Sequence, residues 1–160
     1  MASKRPHKIA ALDQKAECIE LSNISSLTVE EKGIAATFKN YRRKEIRKIR
    51  YDGCYQFVAA QGHADYIIGF DGKIDVVLEL KGSELKRAVI QVGDTLDRWK
   101  KDPIHYSQIV CLIVFGHTFP RMRSNLGVLE REFLAEKCTF LRIRQSGEDK
   151  FSFNKLAGKY

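Results

Sequence analysis

The second half of this chain carries a clear pattern of apolar and polar positions. Across Ile74–Lys81 the apolar residues Ile74, Val76, Leu78 and Leu80 fall on one face of a strand, because side chains alternate along extended chain. Asp75, Val77, Glu79 and Lys81 fall on the other face. The preceding run, Asp65–Gly69, is joined to it by Phe70-Asp71-Gly72-Lys73. Asp-Gly accepts the positive φ angles of a tight hairpin turn, so the two runs are expected to pair antiparallel. From Glu84 to Lys100 the positions Leu85, Ala88, Val89, Val92, Leu96 and Trp99 recur in steps of three and four, which predicts a helix with Ser83 as its cap. Gln108–Gly116 is a continuous apolar run and predicts a strand covered on both faces. Met122–Cys138 places Leu126, Leu129 and Phe133 on one helical face. Thr139–Gln145 alternates and predicts a last strand, and residues 148–160 a turn or tail.

The first half is less decided. Residues 1–8 form a loose basic tail, and Ala10–Leu21 fits a short helix. Gly33–Phe38 fits strand or helix, and Ile46 and Ile49 suit either period. Tyr51-Asp52-Gly53 predicts a turn and Cys54–Ala60 a strand. The order strand, strand hairpin, helix, strand, helix, strand predicts a single α/β domain over residues 9–160, with a mixed central sheet flanked by helices.

Composition narrows the class. The 160 residues are 44% hydrophobic, enough for one core and against disorder. The net charge of +8 favours polyanionic partners, nucleic acid first and an acidic membrane second. No apolar run approaches the roughly 20 residues of a bilayer span, and the start lacks the apolar segment of a signal peptide. A cytosolic protein is therefore expected. Cys18, Cys54, Cys111 and Cys138 include no CxxC pair, which disfavours a zinc knuckle, and a cytosolic setting argues against disulfides. Cys111 reads as core packing. No glycine-rich phosphate loop is present, so no nucleotide cofactor is indicated.

The candidate chemistry lies at the end of the hairpin away from its turn. Glu79 and Lys81 share a strand face, and counting outwards from the turn brings Asp65 opposite about residue 78. Two carboxylates and one lysine then cluster. Neighbouring carboxylates repel and favour a hard divalent cation such as Mg²⁺ or Mn²⁺, and a lysine there can orient water or stabilise charge on a phosphate.

Asp65, thirteen intervening residues, then Glu79-Leu80-Lys81 resembles the PD-(D/E)xK nuclease superfamily. The wider likeness spans about residues 50–117, under half the chain, and is to small bacterial and phage-borne members. It implies a restriction-endonuclease-like core and Mg²⁺- or Mn²⁺-dependent hydrolysis of phosphodiesters, in DNA before RNA. It implies Asp65, Glu79 and the Leu80 carbonyl as metal ligands, Lys81 as the catalytic lysine, and Gln91 as a helix-borne partner of the site. Homodimers or larger assemblies are common in that family. The proline of its name is Ala64 here, at a position that touches no ligand. An acidic residue from an early helix often joins such a site; Glu17, Glu20, Glu30 and Glu31 are the candidates. Asp52 is a further neighbour or a turn aspartate.

Lys39–Arg50 holds seven basic residues in twelve and one acid. Lys39, Arg42, Arg43, Lys44, Arg47, Lys48 and Arg50 could neutralise phosphates, and Tyr41 could stack on a base. The bland alternative is a solvated basic edge. Arg121, Arg123, Arg142 and Arg144 are further basic candidates, with Arg142 and Arg144 on one strand face. His63 could neighbour a metal, act as a base or close a strand end, whereas His105 and His117 have no recognisable partners. Two rivals to a nuclease remain: a catalytically inactive nucleic-acid binder on the same fold, and a protein-interaction module. In the first, Glu79–Lys81 would be a plain salt bridge; in the second, the basic face would meet an acidic partner.

Overall fold

The computed structural model describes residues 18–52, 62–82, 84–116, 125–147 and 150–156. The described residues form eight strands: β1 (Ile19–Ser22), β2 (Ser26–Glu31), β3 (Ile34–Lys39), β4 (Ile46–Arg50), β5 (Tyr66–Phe70), β6 (Ile74–Lys81), β7 (Gln108–Phe115) and β8 (Leu141–Gln145). The helices are α1 (Leu85–Trp99), α2 (Leu126–Lys137) and the single turn α3 (Phe153–Leu156). Six strands form one sheet in the order β1-β4-β5-β6-β7-β8, and β2-β3 form a separate hairpin. β1, β4, β5 and β6 pair antiparallel, while β6-β7 and β7-β8 are parallel. The chain is thus an α/β protein with a mixed central sheet, as the order of elements predicts.

Both faces of the sheet are buried, which explains the near-continuous apolar runs of β6 and β7. Ile74, Val76, Leu78 and Leu80 pack with Leu27, Val29, Ile34, Ala36 and Phe38 of the β2-β3 hairpin and with Phe153 and Leu156. The opposite face packs Val77, Cys111 and Ile113 against α1 and against Phe133 of α2. The stripe of α1 is as predicted, with Gly93 and Thr95 also buried and Val89 only half-buried.

The β5-β6 turn has φ of 52° at Asp71 and 65° at Gly72, and Lys73 N–H donates to Phe70 O at 2.9 Å. The pairs run Phe70–Ile74 to Tyr66–Leu78. One further step sets Asp65 across from Glu79, one residue on from the position that counting predicts.

Several expectations need correction. Cys18 is disulfide-bonded. Ile19–Leu21 is strand where a helix is predicted, and residues 10–17 lie outside the described set. Ile34–Phe38 and Ile46–Ile49 resolve as strand, because each pairs with an antiparallel neighbour, and Gly33 falls in the turn before β3. Glu84, with φ of 63°, is the N-cap of α1 and makes no side-chain cap hydrogen bond; Ser83 is outside the described residues. The C-terminal stretch is not a mere tail. Phe151 bridges to Phe38, and Phe153 stacks on Phe70 with ring centroids 4.3 Å apart. The expected strand at Cys54–Ala60 lies outside the described residues. No helix among the described residues is long and apolar enough to cross a membrane.

One polar row crosses this core. Arg47 on β4 pairs with Gly69 on β5, which pairs with Asp75 on β6. Gly69 has no side chain, so Arg47 reaches over it, and Arg47 Nη2 donates to Asp75 Oδ1 at 2.8 Å. Asp75 Oδ2 accepts from Trp99 Nε1 (2.8 Å) and Tyr106 N (2.7 Å). The guanidinium lies 3.9 Å from the Tyr106 ring centre. A buried carboxylate with three donors, one of them a cation, is well compensated, so this is a structural pair.

Candidate active site

A cavity of about 540 Å³ opens where β6 ends, lined among others by Glu31, Asp52, His63, Asp65, Glu79, Leu80, Lys81 and Gln91. It gathers the sequence-predicted residues Asp65, Glu79, Lys81 and Gln91. Asp65 is held from three directions. Its carbonyl accepts N–H groups of Tyr51 (2.9 Å) and Asp52 (3.2 Å). Its Oδ2 accepts Leu80 N–H at 2.8 Å. The preceding residue, Ala64, donates its N–H to buried Thr95 Oγ1 of α1 at 2.8 Å. The aspartate is thereby fixed between the sheet and the helix.

Glu79 is only 3% exposed. Its Oε1 lies 3.9 Å from Lys81 Nζ, and its buried Oε2 has no hydrogen-bond partner among the described residues. Lys81 Nζ donates to Gln91 Oε1 at 3.3 Å, and Gln91 Nε2 donates to His63 O at 3.3 Å. The His63 ring meets Asp52 Oδ1 at 2.7 Å. A single polar chain therefore runs from Glu79 through Lys81 and Gln91 to His63 and Asp52.

Electrostatics mark the two carboxyls. Burial pushes Glu79 up to about 8; repulsion from Asp65 adds to this, and Lys81 opposes it. Burial pushes Asp65 up to about 7, opposed by the Leu80 N–H and reinforced by Glu31, whose carboxyl is within side-chain hydrogen-bonding reach. Such shifts cluster at functional sites but also occur in structural pairs.

Glu31 is the early acid that reaches the site, and it comes from a strand, not a helix. It shares the inward face of β2 with Leu27 and Val29, at the end beside the turn to β3. The signal was present in the sequence: apolar alternation on both sides of Lys32-Gly33, where φ is 51° and 78°. Of the other acids, Glu20 pairs with Lys48 at 2.8 Å, Glu30 is exposed, and Glu17 lies outside the described residues.

The donors offered to a cation are hard carboxylate oxygens, one of them orphaned. That suits Mg²⁺, which commonly takes one or two carboxylates and completes its shell with water. No group of three or more His, Cys, Asp or Glu side chains is gathered for a metal among the described residues.

The basic run does not surround this cavity. Arg47 is buried against Asp75, and Lys48 is engaged by Glu20. Lys39, Tyr41, Arg42 and Lys44 line a different hollow beside the β5-β6 turn, at the other end of the sheet. Arg43 is exposed, with φ of 49°. Arg50, cross-strand from Tyr66, is the member of the run nearest Asp65. Arg144 is paired with Glu130 at 2.9 Å, and Arg142 lies over Phe140. His117, Arg121 and Arg123 are outside the described residues. Comparison with protein-family models, curated proteins and solved structures finds no match to this chain.

Proposed function

We propose that this protein is a metal-dependent nuclease that hydrolyses phosphodiester bonds, in DNA before RNA. The observation that carries the reading is the meeting of buried Asp65 and Glu79, both with raised pKa, beside the ammonium of Lys81 in an open cavity. Asp65 and Glu79 would hold Mg²⁺ or Mn²⁺, with Leu80 offering its carbonyl at the same wall. The ion would polarise a phosphoryl oxygen and make its bound water more acidic. Glu79 Oε2, without a partner among the described residues, would be an acceptor for the ion or for a water proton. Lys81, held by Gln91, presents positive charge where a pentavalent phosphate would gain negative charge.

The test is nicking of supercoiled plasmid in Mg²⁺ and in Mn²⁺. Asp65→Asn, Glu79→Gln and Lys81→Ala are each expected to lose about 10²–10³-fold, the order seen on removing one charge-stabilising group. Chelation by EDTA should abolish cutting by the wild type. Undiminished cutting by the variants defeats the proposal. One observation favours an inactive nucleic-acid-binding or protein-interaction module instead: no third ligand is gathered among the described residues. On that reading Glu79–Lys81 is a salt bridge, and no metal changes the thermal stability.

A further inference from the structure

A second feature lies away from the carboxylates. Two hollows of about 580 and 300 Å³ adjoin, both lined by Ser152 and Lys155. Lys39, Arg42, Lys44 and Lys73 line the first, and Arg142, Arg144 and Lys150 the second. Among the described residues, Asp71 is the single carboxylate lining either, and it is engaged by Lys73 at 3.4 Å. Lys39, Arg42, Lys44, Lys150 and Lys155 form no ion pair with any described residue. Crowded unpaired cations repel one another, and a polyanion relieves that repulsion. Tyr41 stands at the edge of the first hollow, 75% exposed, which is unusual for so large a ring.

We propose that this groove holds the phosphate backbone of a single-stranded nucleic-acid segment, with Tyr41 as a stacking platform for a base. Aromatic rings beside a basic groove suit single strands, whose bases are free to stack. An acidic peptide would use the cations but has no need of the ring. Ile74 of β6 lines the groove and Glu79 lines the acidic cavity. Five residues of strand separate them by about 16 Å. The link between groove and cleavage rests on the nuclease reading; the binding itself does not.

The experiment is fluorescence anisotropy of a labelled 20-nucleotide oligo-dT in EDTA, across a salt series. EDTA prevents metal-dependent cutting, so binding is read alone. Five contacted phosphates predict a log K against log salt slope of about −3.5, and Lys44→Ala/Lys155→Ala should bring it to about −2. Tyr41→Ala should weaken binding about tenfold at every salt with no change of slope. Both side-chain sets are on the surface, and unchanged circular dichroism and melting would verify folding. An unaltered slope in the double variant overturns the proposal, as does a neutral Tyr41→Ala. Equal competition by polyglutamate, or tighter binding of a duplex that ignores Tyr41, also overturns it. No metal-dependent cutting by the wild type, with intact groove behaviour, would sink the nuclease reading alone, and metal-dependent cutting with an unaltered slope would sink the groove alone.

Discussion

Arg47 Nη2 reaches Asp75 Oδ1 at 2.8 Å across an intervening strand, passing over a glycine. Asp75 is fully buried and Arg47 nearly so. Removing one partner leaves a buried charge uncompensated, so Arg47→Met is expected to destabilise by about 3–5 kcal/mol. Asp75→Asn strands Arg47 in the same way. Urea unfolding of each variant measures this, and a loss below about 1 kcal/mol would mean that the pair is not structural. Arg47→Met should leave the salt dependence of nucleic-acid binding as in the wild type, since its charge is nearly buried and engaged by Asp75.

Gly69 is what lets that pair close. A methyl group there would lie 2.6 Å from Tyr106 Cε2, 2.9 Å from Asp75 Oδ1 and 3.2 Å from Arg47 Nε. Gly69→Ala is therefore expected to cost about 1–3 kcal/mol, the usual range for overpacking. The loss should be sub-additive with Arg47→Met, because residues in contact share their damage. Full additivity in a double-variant cycle would separate the glycine from the ion pair.

The raised carboxyls make stability depend on pH. Their ordinary values are 3.8 for Asp65 and 4.5 for Glu79, against about 7 and about 8 in the fold. Between pH 4 and 8 the folded chain holds protons that the unfolded chain has released. Stability therefore falls as pH rises through that window and levels off above it. Glu79→Gln removes one share of this penalty. It should raise Tm at pH 8.5 by several degrees, given about 2–4 °C per kcal/mol in a domain of this size, and flatten the profile. Millimolar Mn²⁺ should flatten the wild-type profile by binding the ionised pair, with less effect on Glu79→Gln. Melting curves from pH 4 to 9 decide it; a wild-type profile that is flat without metal would show that neither carboxyl is perturbed.

What the sequence makes legible here depends on local signals. The β5-β6 hairpin announced itself through Asp71-Gly72, and with it the approach of Asp65 to Glu79. The α1 stripe did the same for the helix that carries Gln91. The β2-β3 hairpin was harder to read because a lysine occupies a positive-φ position and Glu30-Glu31 interrupts the apolar alternation. Glu31 was consequently one acid among four. Arg47 looked like its basic neighbours, since a charge run carries no mark of which member is buried. Its partner is 28 positions away, and the gap at Gly69 appears only when three strands are set in register. The apolar spacing of Phe151, Phe153 and Leu156 was visible but too short to distinguish a docked turn from a tail.

Gln91 offers a sharper test of the site than its carboxylates do. Its amide oxygen accepts from Lys81 and its amide nitrogen donates to His63 O, so it fixes the ammonium relative to the segment that carries Asp65. It is a positioning residue and would not bind the metal. Gln91→Ala should lower kcat about 10²-fold, the cost of a roughly 1 Å misplacement of a catalytic group, with KM little changed. The Mn²⁺-induced rise in Tm should persist, because Asp65 and Glu79 are untouched. Gln91→Glu keeps an acceptor for Lys81 but loses the donor to His63 O, so partial recovery is expected. A loss of metal stabilisation in Gln91→Ala would instead mean that the helix shapes the carboxylate pair itself, and an unchanged kcat would remove Lys81 positioning from the chemistry.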